Sequence, residues 1–193
     1  MIWLMLTIAA WGAVHSWLAS LGVKDRIRRG LGEVAWRSYR LAYNAFSLVS
    51  FAPIALLVRT LPDHVLYSIH GPLMYVMLVA QGLALICLFV GVLQTDAATF
   101  IGVRQILAGE AADRLVVDGL YRWVRHPLYF FGLALLWLAP RMTLNQLVTS
   151  ASLTVYLFVG AFFEERKLLR EFGSTYAEYR SRTPMIIPIR LHS

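Results

Sequence analysis

The stretch Asp118-Gly119-Leu120-Tyr121-Arg122-Trp123-Val124-Arg125-His126-Pro127-Leu128-Tyr129 holds the densest set of reactive side chains in the chain. Arg125 offers a planar two-donor fork that matches a carboxylate. Histidine, here His126, is the residue type that exchanges a proton near neutrality. Pro127 suits the first turn of a helix, where neighbouring backbone donors stay open to an anionic group. The same arginine, tryptophan and tyrosine content also reads as an anchor at a membrane–water boundary.

Glu164-Glu165 is the second candidate. Two adjacent carboxylates beside an apolar segment are costly unless solvated or engaged. Helical spacing sets them about 100° apart, so at most one points straight into a pocket. They suit ribose hydroxyls or a cationic ligand, or else a solvated helix end paired with Arg166, Lys167 or Arg170. The third candidate is Gln94-Thr95-Asp96 with Phe100-Ile101-Gly102-Val103-Arg104-Gln105, where Asp96 either pairs with Arg104 or lines a polar pocket. His15 and Ser16 lie within an apolar segment and read as a helix-packing hydrogen bond.

These residues need a scaffold, and the composition defines it. Of 193 residues, 59% are hydrophobic and 15% charged. Soluble domains run to about 45–50% apolar and about 25% charged. Disorder, a soluble nucleic-acid binder and a disulfide-stapled secreted module are excluded. The single cysteine, Cys87, forms no intrachain disulfide, and no cysteine cluster for a metal is offered. No Gly-x-Gly-x-x-Gly or Walker loop is present, which excludes a soluble dinucleotide-binding domain.

A helix needs roughly 20 apolar residues to span a bilayer. Met1–Leu21, Tyr39–Val58 with a kink at Pro53, Pro72–Leu93 and Leu144–Phe163 qualify. The first reads as a retained span rather than a signal peptide, because no basic region precedes it and no small-residue cleavage site follows. Leu128–Ala139 is shorter and reads as one arm of a helical hairpin, turning at Pro140-Arg141-Met142-Thr143. Sixteen of the 18 basic residues, Arg190 among them, then fall on one side, leaving Arg59 and Arg141 on the other. The positive-inside rule gives five spans, N-terminus outside and C-terminus cytosolic. Net charge of +7 is thereby explained without nucleic acid; membrane lipids are the expected partner. The tail after Glu164 reads as amphipathic, with Gly173 ending a helix, Thr175 and Glu178 forming a capping box for a second, and the segment to Pro188 covering the cytosolic mouth. The expected fold is an all-α integral membrane protein, a single membrane domain over residues 1–193. Residues 1–93 carry three spans; 94–193 carry a cofactor-binding loop, the hairpin and the tail.

The ordered set Leu115 to Tyr129, then a hairpin, then Glu164-Glu165-Arg166, then Phe172-Gly173 with Tyr176, Tyr179 and Pro184, resembles the integral-membrane methyltransferases. That superfamily includes isoprenylcysteine carboxyl methyltransferase and the phospholipid methyltransferases. Thr95-Asp96 with Phe100, Gly102, Arg104 and Gln105, the stretch Ala139 to Thr143, and His15-Ser16 are similar to the bacterial methanethiol S-methyltransferase and NnrU-like branch. One position departs: Phe131 stands where many relatives carry a glycine, and Gly132 follows.

The resemblance implies S-adenosylmethionine as methyl donor, bound by Val117, Gly119, Tyr121, Arg125, His126, Pro127, Tyr129, Glu164 and Glu165. Arg125 and His126 would suit the donor's carboxylate, and Glu164 or Glu165 its ribose. The acceptor would be small or lipophilic, with a thiol expected; its proton would go to His126 or Asp96 as catalytic base. No metal is expected. Two alternatives stand: a methyltransferase acting on a prenylcysteine carboxylate or phospholipid amine, and a non-enzymatic membrane accessory protein of respiratory or nitrogen-oxide metabolism. The expected location is the bacterial inner membrane.

Overall fold

The structure, a computed structural model, describes residues 1–108 and 114–189. Arg190, counted above among the tail's basic residues, lies outside the described residues. The chain divides into two compact units: Met1–Asp63 with Asp96–Asp113, and His64–Thr95 with Arg114–Ser193.

The first unit holds α1 (Ile2–Ala19), α2 (Leu21–Gly30), α3 (Gly32–Ser50) and α4 (Ala52–Thr60). The expected kink at Pro53 appears as a break at Phe51, with Pro53 in the first turn of α4, where its missing N–H costs no bond. His15 makes the packing contacts expected of it. Tyr43 Oη lies 2.6 Å from Nε2, and Ser47 Oγ lies 2.9 Å from Nδ1.

The second unit opens with a strand, β1 (Val65–Ser68), followed by α5 (Pro72–Gln94). In the first unit, α6 (Ala97–Ile101) and α7 (Val103–Ala108) come next in the chain. The second unit resumes with a 3-10 turn (Gly119–Arg122), α8 (Pro127–Trp137), β2 (Arg141–Thr143) and α9 (Leu144–Arg182).

One expectation is corrected here. The residues read as a tight hairpin turn form β2, which pairs antiparallel with β1 in the register Val65↔Thr143, Tyr67↔Met142 and Ser68↔Arg141. Residues 65–68 are too few to signal a strand alone; the ribbon joins the segment that leads into α5 to the segment that follows α8. The hairpin's first arm, α8, has 11 residues. Its length is about 16 Å, half the roughly 30 Å hydrocarbon core. Among the described residues, four helices are long and apolar enough to cross a membrane: Ile2–Ala19, Gly32–Thr60, Pro72–Gln94 and Leu144–Arg182. The protein is an integral membrane protein, and among the described residues its regular structure is helical apart from the ribbon.

The short α8 is held against α5. Gly91 leaves room for Leu128, whose Cδ2 would lie 2.8 Å from a Cβ at that position. Gln81 donates its side-chain N–H to the Leu135 carbonyl at 2.8 Å, satisfying an orphan acceptor in α8's last turn. Thr143 and Gln146 form a capping box that starts α9 at the end of β2. At Gly173 (φ 52°, ψ −126°) the backbone leaves helical geometry, a conformation that glycine adopts without a Cβ penalty. The second tail helix carries Glu178 toward Arg182, one turn on, rather than back toward Thr175.

Candidate functional site

The reactive residues of the second unit meet around one carboxylate. Glu165 follows the apolar segment of α9 that ends at Phe163 and is 4% exposed. Arg125 Nε and Nη2 donate to its two oxygens at 2.7 and 2.9 Å, a bidentate fork. His126 Nε2 lies 3.0 Å from Oε1, and Tyr176 donates its hydroxyl to the same oxygen at 2.6 Å. Arg180 Nε stands 3.4 Å from Oε2. Burial alone would raise the carboxyl's pKa. The hydrogen bonds from His126, Arg125 and Tyr176, with Arg125's charge, outweigh it and bring the value down to about 2.

The neighbouring carboxylate behaves differently, as helical spacing requires. Glu164 has a side chain 45% exposed. It accepts the Tyr129 hydroxyl at 2.9 Å and lies 3.5 Å from His126 Nδ1. The His126 and Tyr129 rings stack at 5.2 Å with 11° between their planes. Of the acidic pair, one member is thus interior and one outward. Of the cations considered as partners for the pair, Lys167 turns to Glu171, and Arg166 lies over the Phe162 ring.

The tail is bound to the same residues through the backbone. Arg125 N–H donates to the Pro184 carbonyl at 2.9 Å, and His126 N–H to that of Met185 at 3.0 Å. Arg125 Nη1 donates to the carbonyls of Arg180, at 3.1 Å, and Thr183. Ile186 is buried at 1% exposure just beyond. The guanidinium read in sequence as a grip for a ligand carboxylate is spent inside the chain, on Glu165 and on the tail.

The loop before α8 is fixed at its other end. Gly119 has φ +62°, and a Cβ there would lie 2.0 Å from Gln94 Nε2. Gln94 Oε1 accepts the Leu120 N–H at 3.0 Å. The Tyr179 hydroxyl donates to the Tyr121 carbonyl. Burial, with the Glu164 charge, pushes the Tyr121 phenol up to about 12. Pro127 is fully buried at the start of α8, and Val117 is 37% exposed. Among the expected site residues, Arg125, His126, Tyr129, Glu164 and Glu165 share one hydrogen-bonded and ion-paired cluster.

Asp96 belongs to the first unit. It caps α6 by accepting the Thr99 N–H at 3.4 Å, and it pairs with Arg104 at 2.8 Å. Of its two expected roles, pairing with Arg104 is the one formed. The sequence reading missed the parts played by Gln94, Arg180 and the Thr183 carbonyl. A buried acidic residue demands several donors, but no spacing in the chain says which.

Fold and cluster together define an integral membrane protein whose charged site is built just after the apolar segment of α9. Residues 3–191 match the family described as NnrU protein, and the chain belongs to it. The chain is 35% identical over 153 residues to methanethiol S-methyltransferase 1 of Bradyrhizobium diazoefficiens, covering 74% of this chain and 53% of that one. It is 41% identical over 69 residues to the methanethiol S-methyltransferase of Mycobacterium tuberculosis, covering 36% of this chain and 28% of the relative. A more distant match is the protein-S-isoprenylcysteine O-methyltransferase of Schizosaccharomyces pombe, 36% identical over 81 residues, covering 39% and 33%. These bear out the resemblance read from the residues. The chain spans about half the length of the first of these relatives. No solved structure matches it.

Proposed function

We propose that the protein is an S-adenosylmethionine-dependent methyltransferase of the membrane, acting on a small or lipophilic thiol. The observation that carries this is the cluster itself. The Arg-His-Pro-x-Tyr element and the Glu-Glu pair, 35 to 40 residues apart, meet in one hydrogen-bonded unit. Relatives named as methyltransferases match the chain at 35–46% identity. The proposed topology has five spans, with α8 completed by the ribbon, the N-terminus outside and the C-terminus in the cytosol of a bacterial inner membrane.

The residues fit the polar part of the donor. Glu164 is exposed, anionic and flanked by the Tyr129 hydroxyl, a donor–acceptor pair suited to ribose hydroxyls or an ammonium group. The stacked His126 and Tyr129 rings give an aromatic face for a cation. Val117, Gly119, Tyr121 and Pro127 would shape the wall of the same site. When bound, S-adenosylmethionine supplies a methyl group activated on a sulfonium. Arg125 and Glu165 act as positioning residues: their fork fixes His126 and holds the tail beside it.

His126 Nε2 must carry its proton to donate to Glu165, so Nδ1 is the ring nitrogen open to a further proton. A thiol proton received at Nδ1 would find the Glu164 carboxylate 3.5 Å away. His126 is therefore favoured over Asp96 as the base, because Asp96 is committed to Thr99 and Arg104. Alignment of acceptor, methyl and sulfur with exclusion of water supplies the rest of the rate.

A non-enzymatic accessory role in respiratory or nitrogen-oxide metabolism is favoured by one observation, that Arg125 is satisfied within the chain. Labelled-methyl transfer by detergent-purified protein, tested on thiols, prenylcysteines and phospholipid amines, separates the readings. Transfer to thiols is expected. Failure to bind S-adenosylmethionine in calorimetry overturns the methyltransferase reading, and transfer to another acceptor overturns the thiol.

A further inference from the structure

We propose that α2 is a surface helix that binds anionic phospholipid headgroups. The chain itself sets its depth. One residue, Ser20, joins α2 to the candidate span Ile2–Ala19, and one residue, Leu31, joins it to the candidate span Gly32–Thr60. A single residue reaches at most about 3.6 Å, so α2 stays beside the ends of both helices. Tyr39 donates its hydroxyl to the Leu18 carbonyl at 2.6 Å, tying α3, two turns beyond its start, to the end of α1. Trp17 and Trp36 stand on either side of α2 in the chain, as interfacial aromatic residues do.

The surface of α2 matches that location. Its ten residues carry Lys24, Arg26, Arg28 and Arg29 against one acid, Asp25. Glu33, the next acid along, is taken by Arg37 at 3.0 Å. Val23 is buried, and Ile27, one turn on, is half-buried on the same face. The cations therefore spread over the remaining faces. Arg28 lies over the Trp36 ring at 5.5 Å, which places a guanidinium at the aromatic level. Large apolar side chains flank the cations in the open: Leu21 is 56% exposed, Leu31 69% and Val34 80%.

Those apolar flanks decide what the cations bind. Nucleic acid or a soluble acidic protein would satisfy the charge and leave Leu21, Leu31 and Val34 in water. A lipid surface takes both: acyl chains receive the apolar residues while phosphates meet the arginines. Charge complementarity then favours anionic over zwitterionic lipid.

The test is the relative association of spin-labelled phosphatidylglycerol and phosphatidylcholine with the full chain in reconstituted vesicles, read by electron paramagnetic resonance. The parent is expected to prefer phosphatidylglycerol. The pair Arg26→Gln with Arg29→Gln should lose that preference, by up to about 5-fold per arginine removed. The pair Arg26→Lys with Arg29→Lys should keep it and show that the helix still folds. The control pair Arg59→Gln with Arg141→Gln removes equal charge elsewhere and should also keep it. A parent without preference, or a control pair that loses as much as the α2 pair, overturns the proposal. Displacement of the lipid by millimolar inorganic phosphate overturns the lipid as occupant.

Discussion

Replacing Glu165 with glutamine is expected to cost more stability than any other single change at the site. The side chain keeps its shape and loses its charge. Arg125, 8% exposed at its side chain, is left as a buried cation without its counter-ion. The carboxyl's pKa falls from 4.5 to about 2 on folding, although burial alone pushes the other way. At 1.36 kcal/mol per unit, that fall corresponds to about 3 kcal/mol of stabilisation of the charged form. Mutational experience with buried pairs, where one partner is removed, gives about 3–5 kcal/mol. The two routes agree, and the loss is a large part of a typical total of about 5–15 kcal/mol. Unfolding in mild detergent should therefore shift down by roughly 6–20 °C. Arg125→Lys belongs in the same experiment. An ammonium keeps the charge but cannot hold both carboxylate oxygens and the carbonyls of Arg180 and Thr183, so a smaller loss in the same direction is expected. A Glu165→Gln protein that unfolds within about 1 °C of the parent would refute the view that this pair holds the tail to α8.

The same group sets an acid limit. Its folded pKa is depressed, so its contribution is complete above the unfolded value of about 4.5 and is lost as the pH falls toward 2; urea titrations at pH 6, 4 and 3 should show the parent weakening and Glu165→Gln changing less. Glu164→Gln, at a half-exposed position, should unfold like the parent but bind S-adenosylmethionine about 10- to 150-fold more weakly in calorimetry; unchanged affinity would remove Glu164 from the binding site. Gly119→Ala should destabilise by about 1–3 kcal/mol in thermal unfolding, because its φ is +62° and the new Cβ meets Gln94; the double variant with Gln94→Ala should recover the steric part and keep the backbone part. Reporter fusions after Leu61 and after Ile189 should read outside and cytosolic; the reverse result overturns the proposed orientation.

Much of the site was legible as residue types. Arg125, His126, Tyr129 and the Glu pair were singled out because each is costly at an apolar boundary unless it has work to do. How they are used was not legible. Taken singly, Arg125 looks for a carboxylate and Glu165 for a donor, so each reads as a ligand-binding group. Folding brings them together across 40 residues, and each then meets the other's desolvation cost. The long spans were readable from length, because about 20 apolar residues have few other fates. The ribbon was not, because β1 and β2 are segments of four and three residues, short enough to read as loops in isolation.

The shortness of α8 is what lets these pieces meet. Leu128 packs against Gly91 and Leu135 bonds to Gln81, so α8 runs antiparallel to α5 with its first residue near α5's last turn. Gln94, at that last turn, holds Gly119 and Leu120. The loop from Gly119 to His126 is thereby pinned at both ends to one end of α5. A helix of 11 residues cannot reach the level where α5 begins, and β2 completes the course by pairing with β1 just ahead of α5. β2 leads directly into α9, whose capping box fixes the residue at which the helix starts. From Leu144 to Glu165 the rise is about 32 Å, close to the 33 Å of α5 from Pro72 to Gln94 at about 1.5 Å per residue. Both helices start beside the ribbon, so equal rise returns Glu165 to the level of Gln94 and of Arg125. Moving the cap by one residue would turn Glu165 by about 100° and exchange the buried carboxylate for the exposed one. The capping box at Thr143 therefore decides which glutamate faces Arg125.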